Sequence, residues 1–181
     1  WFTLKAYGFE RVAILDGGLA KWRVEERPLE SGVSEVQAIA MDEIAALAPE
    51  RIRSKADMLA NIDSANEQVL DARAADRVYG EGVDPVHGGQ NGRIPGALNL
   101  PFSSLFTEDG TYKSPEDLCA AVEAAGIDWQ RPVVTTCGSG VTASVLLFAM
   151  HLAGKDDTAL YDGSWSEWAA DPDTPKLQGP A

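Results

Sequence analysis

The sequence predicts an α/β fold, a doubly wound parallel sheet with helices on both faces. Short apolar or β-branched runs near 68–71, 97–99, 132–136 and 158–161 alternate with amphipathic stretches near 55–62, 74–79, 114–125, 140–153 and 163–169. Buried strands of that length, separated by helices, are the pattern of a parallel sheet covered on both sides. At 181 residues, 45% of them hydrophobic, the chain is long enough to close a real core and carry extra segments.

The extra segments lie at both ends. The chain opens on an apolar stretch, Trp1-Phe2-Thr3-Leu4, which ends at Gly8. Gly8 through Trp22 then repeats as Gly154 through Trp168: Gly8, Ala13, Asp16, Gly17 and Trp22 recur as Gly154, Ala159, Asp162, Gly163 and Trp168. Both copies read as helix end, strand (Val12–Leu15 in the first), Asp-Gly turn and short tryptophan-bearing helix. Residues 25–39, with Pro28, Ser31, Gly32 and Ser34, read as a linker, and 40–170 as the complete domain. Residues 171–181, with Pro172 and Pro175, read as an extended tail. Inside the domain, Ser114-Pro115-Glu116-Asp117 is a helix start, a capping serine with proline at the first helical position.

The chemistry concentrates in Pro132-Val133-Val134-Thr135-Thr136-Cys137-Gly138-Ser139-Gly140-Val141-Thr142-Ala143-Ser144. A strand ends at a cysteine, passes through a small-residue loop and enters an apolar helix. Gly138 and Gly140 allow the backbone to fold around whatever sits on the sulfur, with its amides turned inward. The following helix adds the positive end of its dipole. Both effects favour a thiolate, the condition for a nucleophilic cysteine. The bland alternative is an inert thiol at a strand end; the glycine loop at a strand-to-helix junction favours the nucleophile, because open α/β sheets bind ligands at the carboxyl ends of their strands.

Bulk charge narrows the partners. A net charge of −13 argues against nucleic acid and against anionic membrane. No apolar run approaches the roughly 20 residues needed to span a bilayer, and the opening residues do not read as a leader. Two cysteines and two histidines make a poor metal inventory, and no pair has zinc spacing. Neither a metal nor any other cofactor is expected. Cys119 reads as a core residue of its helix, and His151 as a favourable charge near a helix C-terminus. The absence of a disulfide framework suits a reducing compartment, hence the cytoplasm.

Cys137-Gly138-Ser139-Gly140-Val141-Thr142-Ala143 resembles the active-site loop of 3-mercaptopyruvate sulfurtransferases, within the rhodanese superfamily. Val69-Leu70-Asp71-Ala72-Arg73 resembles that family's opening strand. Gly92-Arg93-Ile94-Pro95-Gly96-Ala97-Leu98-Asn99-Leu100-Pro101 resembles its G-H-I-P-G-A-x-N-x-P segment, and Tyr161-Asp162-Gly163-Ser164-Trp165-Ser166-Glu167-Trp168 its closing strand and helix. The segments appear in the family's order between about 66 and 170.

The resemblance implies a rhodanese-like fold and sulfur transfer through a Cys137 persulfide, from 3-mercaptopyruvate as a small anionic donor to cyanide, a small thiol or a thioredoxin-like protein. It implies that backbone amides of Gly138, Gly140, Val141 and Thr142 stabilise the anionic sulfur, although Thr142 also suits a helix cap. It implies that Ser139 orients the donor or relays a proton, with an aspartate from a preceding domain as its partner. Residues 1–24 would then be the end of that preceding, non-catalytic rhodanese domain. Arg77 falls where the family keeps a carboxylate-binding arginine, a role that suits a guanidinium fork. Arg73 reads as structural.

This chain departs from the family in two places. Val86 stands where the family has a second substrate arginine, and Arg93 where it has histidine. Arg93 and His87 are the nearby cations that could compensate; thiosulfate or another persulfide is the alternative donor. A cysteine phosphatase or arsenate reductase would need an arginine where this chain has Ala143. A non-catalytic rhodanese binding module is the remaining reading, though such modules typically lose the cysteine.

Overall fold

The computed structural model describes residues 1–33, 47–80, 82–84, 86 and 89–179. Its elements are α1 (Phe2–Ala6), α2 (Gly18–Val24), β1 (Ile52–Arg53), α3 (Lys55–Ser64), β2 (Gln68–Asp71), α4 (Ala75–Tyr79), β3 (Leu98–Asn99), α5 (Pro115–Ala124), β4 (Val133–Thr136), α6 (Ala143–Leu152), β5 (Thr158–Tyr161) and α7 (Ser164–Ala170). Single 3-10 turns cover Pro49–Arg51 and Phe102–Leu105. The five strands form one sheet in the order β1-β5-β4-β2-β3, and every pairing is parallel. The doubly wound α/β expectation holds.

Side-chain alternation divides the core between the two faces of the sheet. Leu70, Val133 and Leu160 point to one side, where they meet Leu118, Val122, Leu146 and Met150 of α5 and α6. Val69, Val134, Ala159 and Tyr161 point to the other, against Met58 of α3 and Trp165 and Trp168 of α7. β4 is buried along its whole length because β2 and β5 flank it and both faces are covered. Cys137 therefore leaves the sheet from its most enclosed strand.

Local starts follow the sequence. Ser54 opens α3 with a reciprocal capping box to Asp57, and its hydrogen bonds hold the Asp57 carboxyl below the usual carboxylate range. Ser114 accepts from the Asp117 amide at 3.2 Å and Pro115 takes the first helical position of α5. β1 was not foreseen: two residues at a sheet edge are too short to leave a periodic signal.

The first 24 residues dock on the remainder. Phe2 and Ala6 are buried, the Ala48 amide donates to the Ala6 carbonyl at 2.8 Å, and Trp1 lies edge-on to Phe148 with centroids 5.0 Å apart. Asp16 accepts from the Tyr112 amide at 2.9 Å, and Lys21 pairs with Asp109 at 2.8 Å. One expectation needs correction. Val12–Leu15 forms no strand, because no described strand lies beside it to supply ladder partners. Residues 174–179 of the tail pack on the domain, with Thr174 buried and Leu177 bridged to Arg93. The start of the 40–170 domain and the second half of the 25–39 linker lie outside the described residues.

If Phe2 is a core residue, Phe2→Ala should cost about 3 kcal/mol, the low end for a buried phenylalanine, since its ring also borders a cavity. Urea unfolding of the 181-residue chain measures this. An unchanged midpoint would mean that α1 is not docked.

Candidate active site

The last residue of β4, Thr136, hands the chain to Cys137 at the carboxyl edge of the sheet, and Cys137 is buried. The start of α7 grips the backbone there. The Cys137 amide donates to Ser164 Oγ at 3.2 Å, and its carbonyl accepts from the Trp165 amide at 2.9 Å. The Gly138 carbonyl accepts from both the amide of Ser166, at 2.9 Å, and its hydroxyl, at 2.5 Å. Ser164 Oγ in turn donates to the Tyr161 carbonyl at 2.8 Å. To reach both atoms Ser164 adopts φ 51°, a left-handed conformation uncommon for a residue with a side chain.

With its carbonyls drawn toward α7, the loop leaves its amides over. Among the described residues no atom accepts a hydrogen bond from the amides of Gly138 through Ala143. A run of amides without protein acceptors at a helix start is an anion-binding arrangement. Gly140 makes the turn with φ +82°, and a Cβ there would lie 3.0 Å from the Asp162 carbonyl oxygen. Gly138, in contrast, does not take a positive φ, so only one of the two glycines is required by backbone conformation. α6 consequently begins at Ala143 rather than near 140. Thr142 takes its N-cap position without a side-chain cap hydrogen bond, so the capping role considered for it is not realised.

Ser139 and Val141 are exposed. With Ser144 and Asp162 they line a cavity of about 430 Å³ that Trp1 and Tyr7 of the N-terminal segment also line. The N-terminal segment and the loop that follows Cys137 thus border the same cavity.

The arginines are held more firmly than the sequence implied. Arg77 presents Nε and Nη2 to the buried Asp84 at 3.0 and 2.7 Å, so its fork is already engaged by a carboxylate. Arg73 is buried, paired through Nε and Nη2 with Asp71, bonded to the Gly92 carbonyl at 2.6 Å and stacked 4.6 Å from the Trp165 ring. It is structural, as its position implied. Arg93 is also buried: Nη1 donates to the Gly179 carbonyl at 2.6 Å, and the guanidinium lies 4.9 Å from the Tyr79 ring. His87 lies outside the described residues.

Cys119 is not core. It is half-buried on the outer side of α5, because Leu118 and Val122 take the inward positions. Its Sγ lies 3.7 Å from Glu123 Oε1, and desolvation together with that carboxylate pushes its thiol up. His151, at the end of α6, meets Asp156 at 2.6 Å and stacks against Trp1. Among the described residues no group of His, Cys, Asp and Glu could hold a metal ion, and no helix is long and apolar enough to cross a membrane.

Ser164 and Ser166 were not singled out from sequence as site residues. Their motif was visible, but a supporting role depends on a left-handed serine that no spacing rule indicates. Asp84 likewise gave no signal apart from its partner.

Comparison with known proteins identifies the family. The family model for a rhodanese-like domain matches residues 54–171. The chain is 40% identical over 168 residues to the 3-mercaptopyruvate sulfurtransferase of Mus musculus, covering 93% of this chain and 56% of that protein. It is 37% identical over 182 residues to the thiosulfate sulfurtransferase of Bos taurus, covering 99% of this chain and 61% of that protein. Among solved structures, SseA of Escherichia coli, a 3-mercaptopyruvate sulfotransferase, superposes with TM-score 0.77 and 37% identity over 92% of this chain and 61% of that one. Wild-type EanB superposes with TM-score 0.84 over 99% of this chain and 44% of that one; at 23% identity this likeness shows the fold alone. The chain spans a little over half the length of these curated relatives. It belongs to the rhodanese-like domain family.

Loss of the Ser164 hydroxyl would strand both the Cys137 amide and the Tyr161 carbonyl. Ser164→Ala should cost about 1–3 kcal/mol, the penalty for leaving buried polar groups unpaired. Denaturant unfolding tests it, and stability equal to the parent's would show that α7 does not hold the loop.

Proposed function

We propose that this rhodanese-family chain is the sulfur-carrying part of a sulfurtransferase acting on 3-mercaptopyruvate. The Cys137 thiolate attacks the donor's sulfur. The carbon–sulfur bond breaks, its electron pair leaves with the pyruvate enolate, and the enolate takes up a proton. Cys137 is left as a persulfide. A second thiolate or cyanide then takes the outer sulfur and returns Cys137 to its starting form, a two-step covalent mechanism with ping-pong kinetics.

The observation that carries this reading is the run of acceptor-free amides from Gly138 to Ala143 beside a cysteine at the carboxyl edge of a parallel sheet. Such a nest stabilises an anionic outer sulfur as an oxyanion hole stabilises oxygen. Ser139, exposed and lining the cavity, is the group we assign to orienting the donor or relaying its proton. Arg77 we assign to the donor's anionic group, with its guanidinium plane set by Asp84.

Thiosulfate is the second donor reading, with sulfite as the leaving group. It is favoured by the occupied fork of Arg77 and by Val86 in place of a second arginine, which together weaken recognition of a carboxylate. The exposed apolar side chains Leu15, Leu19 and Val24 support our reading of residues 1–24 as the end of a preceding domain. We place the protein in a reducing compartment, the cytoplasm, with a small thiol or a thioredoxin-like protein as acceptor, and with neither nucleic acid nor membrane as partner.

Cys137→Ser should abolish sulfur loading from 3-mercaptopyruvate and thiosulfate alike, whereas Cys119→Ser should load as the parent does. Intact-mass measurement after each donor, followed by thiocyanate release with cyanide, is the assay. Equal loading of both variants would overturn the assignment of the nucleophile. Binding of donor with neither loading nor thiocyanate would make the chain a non-catalytic module.

A further inference from the structure

Residues 174–179 do more than cover the end of the domain. The Thr174 hydroxyl donates to the Trp168 carbonyl at 2.5 Å, and Trp168 Nε1 donates to the Pro175 carbonyl at 2.8 Å, which anchors the segment on α7. It then crosses to residues 91–93. Arg93 and Leu177 exchange both backbone hydrogen bonds, at 2.8 and 3.0 Å, and Gln178 Nε2 donates to the Asn91 carbonyl at 3.1 Å. Arg93 Nη1 closes the contact on the Gly179 carbonyl. The crossing is built for close approach: Gly92 has φ +137°, and a Cβ on it would sit 2.7 Å from the Leu177 carbonyl oxygen.

The segment held in this way supports the arginines. The Gly92 amide donates to the Arg77 carbonyl at 3.0 Å, and the Arg93 guanidinium packs on Tyr79 of α4, the helix that carries Arg77. The Gly92 carbonyl receives Arg73, and the Gln90 carbonyl receives Trp165 Nε1 at 2.8 Å. Trp165 is the residue whose amide holds the Cys137 carbonyl. One continuous set of contacts therefore joins the C-terminal segment, the arginine that faces the donor in our reading, and the loop that carries the cysteine.

We propose that residues 174–179 are a strap that positions Arg77 relative to the Cys137 loop, with Arg93 as the positioning residue that fastens it. This rests on the sulfurtransferase reading for the identity of the anion that Arg77 meets. Arg93 touches no reacting atom; it acts through α4. With the strap fastened, Arg77 is set for an anionic donor before one arrives, so loosening the strap should weaken donor binding more than it slows the loaded enzyme.

The test compares the 181-residue chain with Arg93→Ala, with Arg93→Lys, and with a chain ending at Lys176, which keeps the Pro175 anchor but lacks Leu177 to Gly179. Steady-state cyanolysis with thiosulfate separates KM from kcat. Arg93→Ala and the shortened chain should raise KM about ten-fold with kcat within about two-fold, and Arg93→Lys should recover part of the loss. Thiosulfate binding by calorimetry on a Cys137→Ser background should weaken by the same factor, and it reads the strap even if no chain turns over. Failure of the parent chain to load sulfur would overturn the sulfurtransferase reading. An unchanged KM and binding constant in both loosened variants, or kcat and KM changing only with the folded fraction seen by circular dichroism, would overturn the strap.

Discussion

The rest of the site depends on one set of contacts, the grip of the first turn of α7 on the backbone after β4. Ser164, Trp165 and Ser166 take the amide of Cys137 and the carbonyls of Cys137 and Gly138. A peptide has two polar ends; once the carbonyls are committed on one side, the following amides are left to face elsewhere. That turns the amides of Gly138 and Ser139 away from α7, and the amides that follow, up to Ala143, are the unpaired donors leading into the first turn of α6. Between them the backbone turns sharply at Gly140, where it passes so close to Asp162 that a methyl group would crowd it. The parallel sheet makes the arrangement possible, because β4 and β5 deliver the Cys137 loop and the start of α7 to the same edge.

The arginines follow a related logic. Two guanidinium groups, on Arg73 and Arg77, meet two buried carboxylates, on Asp71 and Asp84, so the burial of each charge is compensated by an opposite one. Among them these four side chains carry no net charge, so the cluster is not a long-range lure for a donor. Its contribution is orientation: Asp84 fixes the plane of the Arg77 guanidinium and Arg73 ties the end of β2 to Gly92 and Trp165. Recognition of an anion at such a site draws more on the loop amides and on geometry than on the net field, which at −13 is repulsive.

Much of this was legible in the sequence, for reasons that can be named. The central strands and their helices were visible because burial on both faces leaves unbroken apolar runs, and Cys137 because a glycine-containing loop between strand and helix is a distinctive arrangement. What escaped was set by tertiary partners. β1 has two residues and exists only through its pairing with β5, while Val12–Leu15 has a strand's composition but no neighbour to pair with. Cys119 was assigned to the core because its helix is amphipathic; one residue of rotation puts Leu118 inside and the thiol at the edge. The tail read as extended from its prolines; its crossing over residues 91–93 depends on the close approach that Gly92 permits, which composition does not reveal. Asp84 carried no motif, and its importance appears only where Arg77 meets it.

The central claim is that the loop amides freed by the α7 grip hold the anionic sulfur on Cys137. Backbone amide NMR of the chain before and after conversion of Cys137 to its persulfide tests this most directly. The account predicts slowed hydrogen exchange and downfield amide shifts for Gly138 through Ala143, with residues of α3 unchanged. Unaltered exchange across that loop in a chain shown by mass to carry the added sulfur would contradict it.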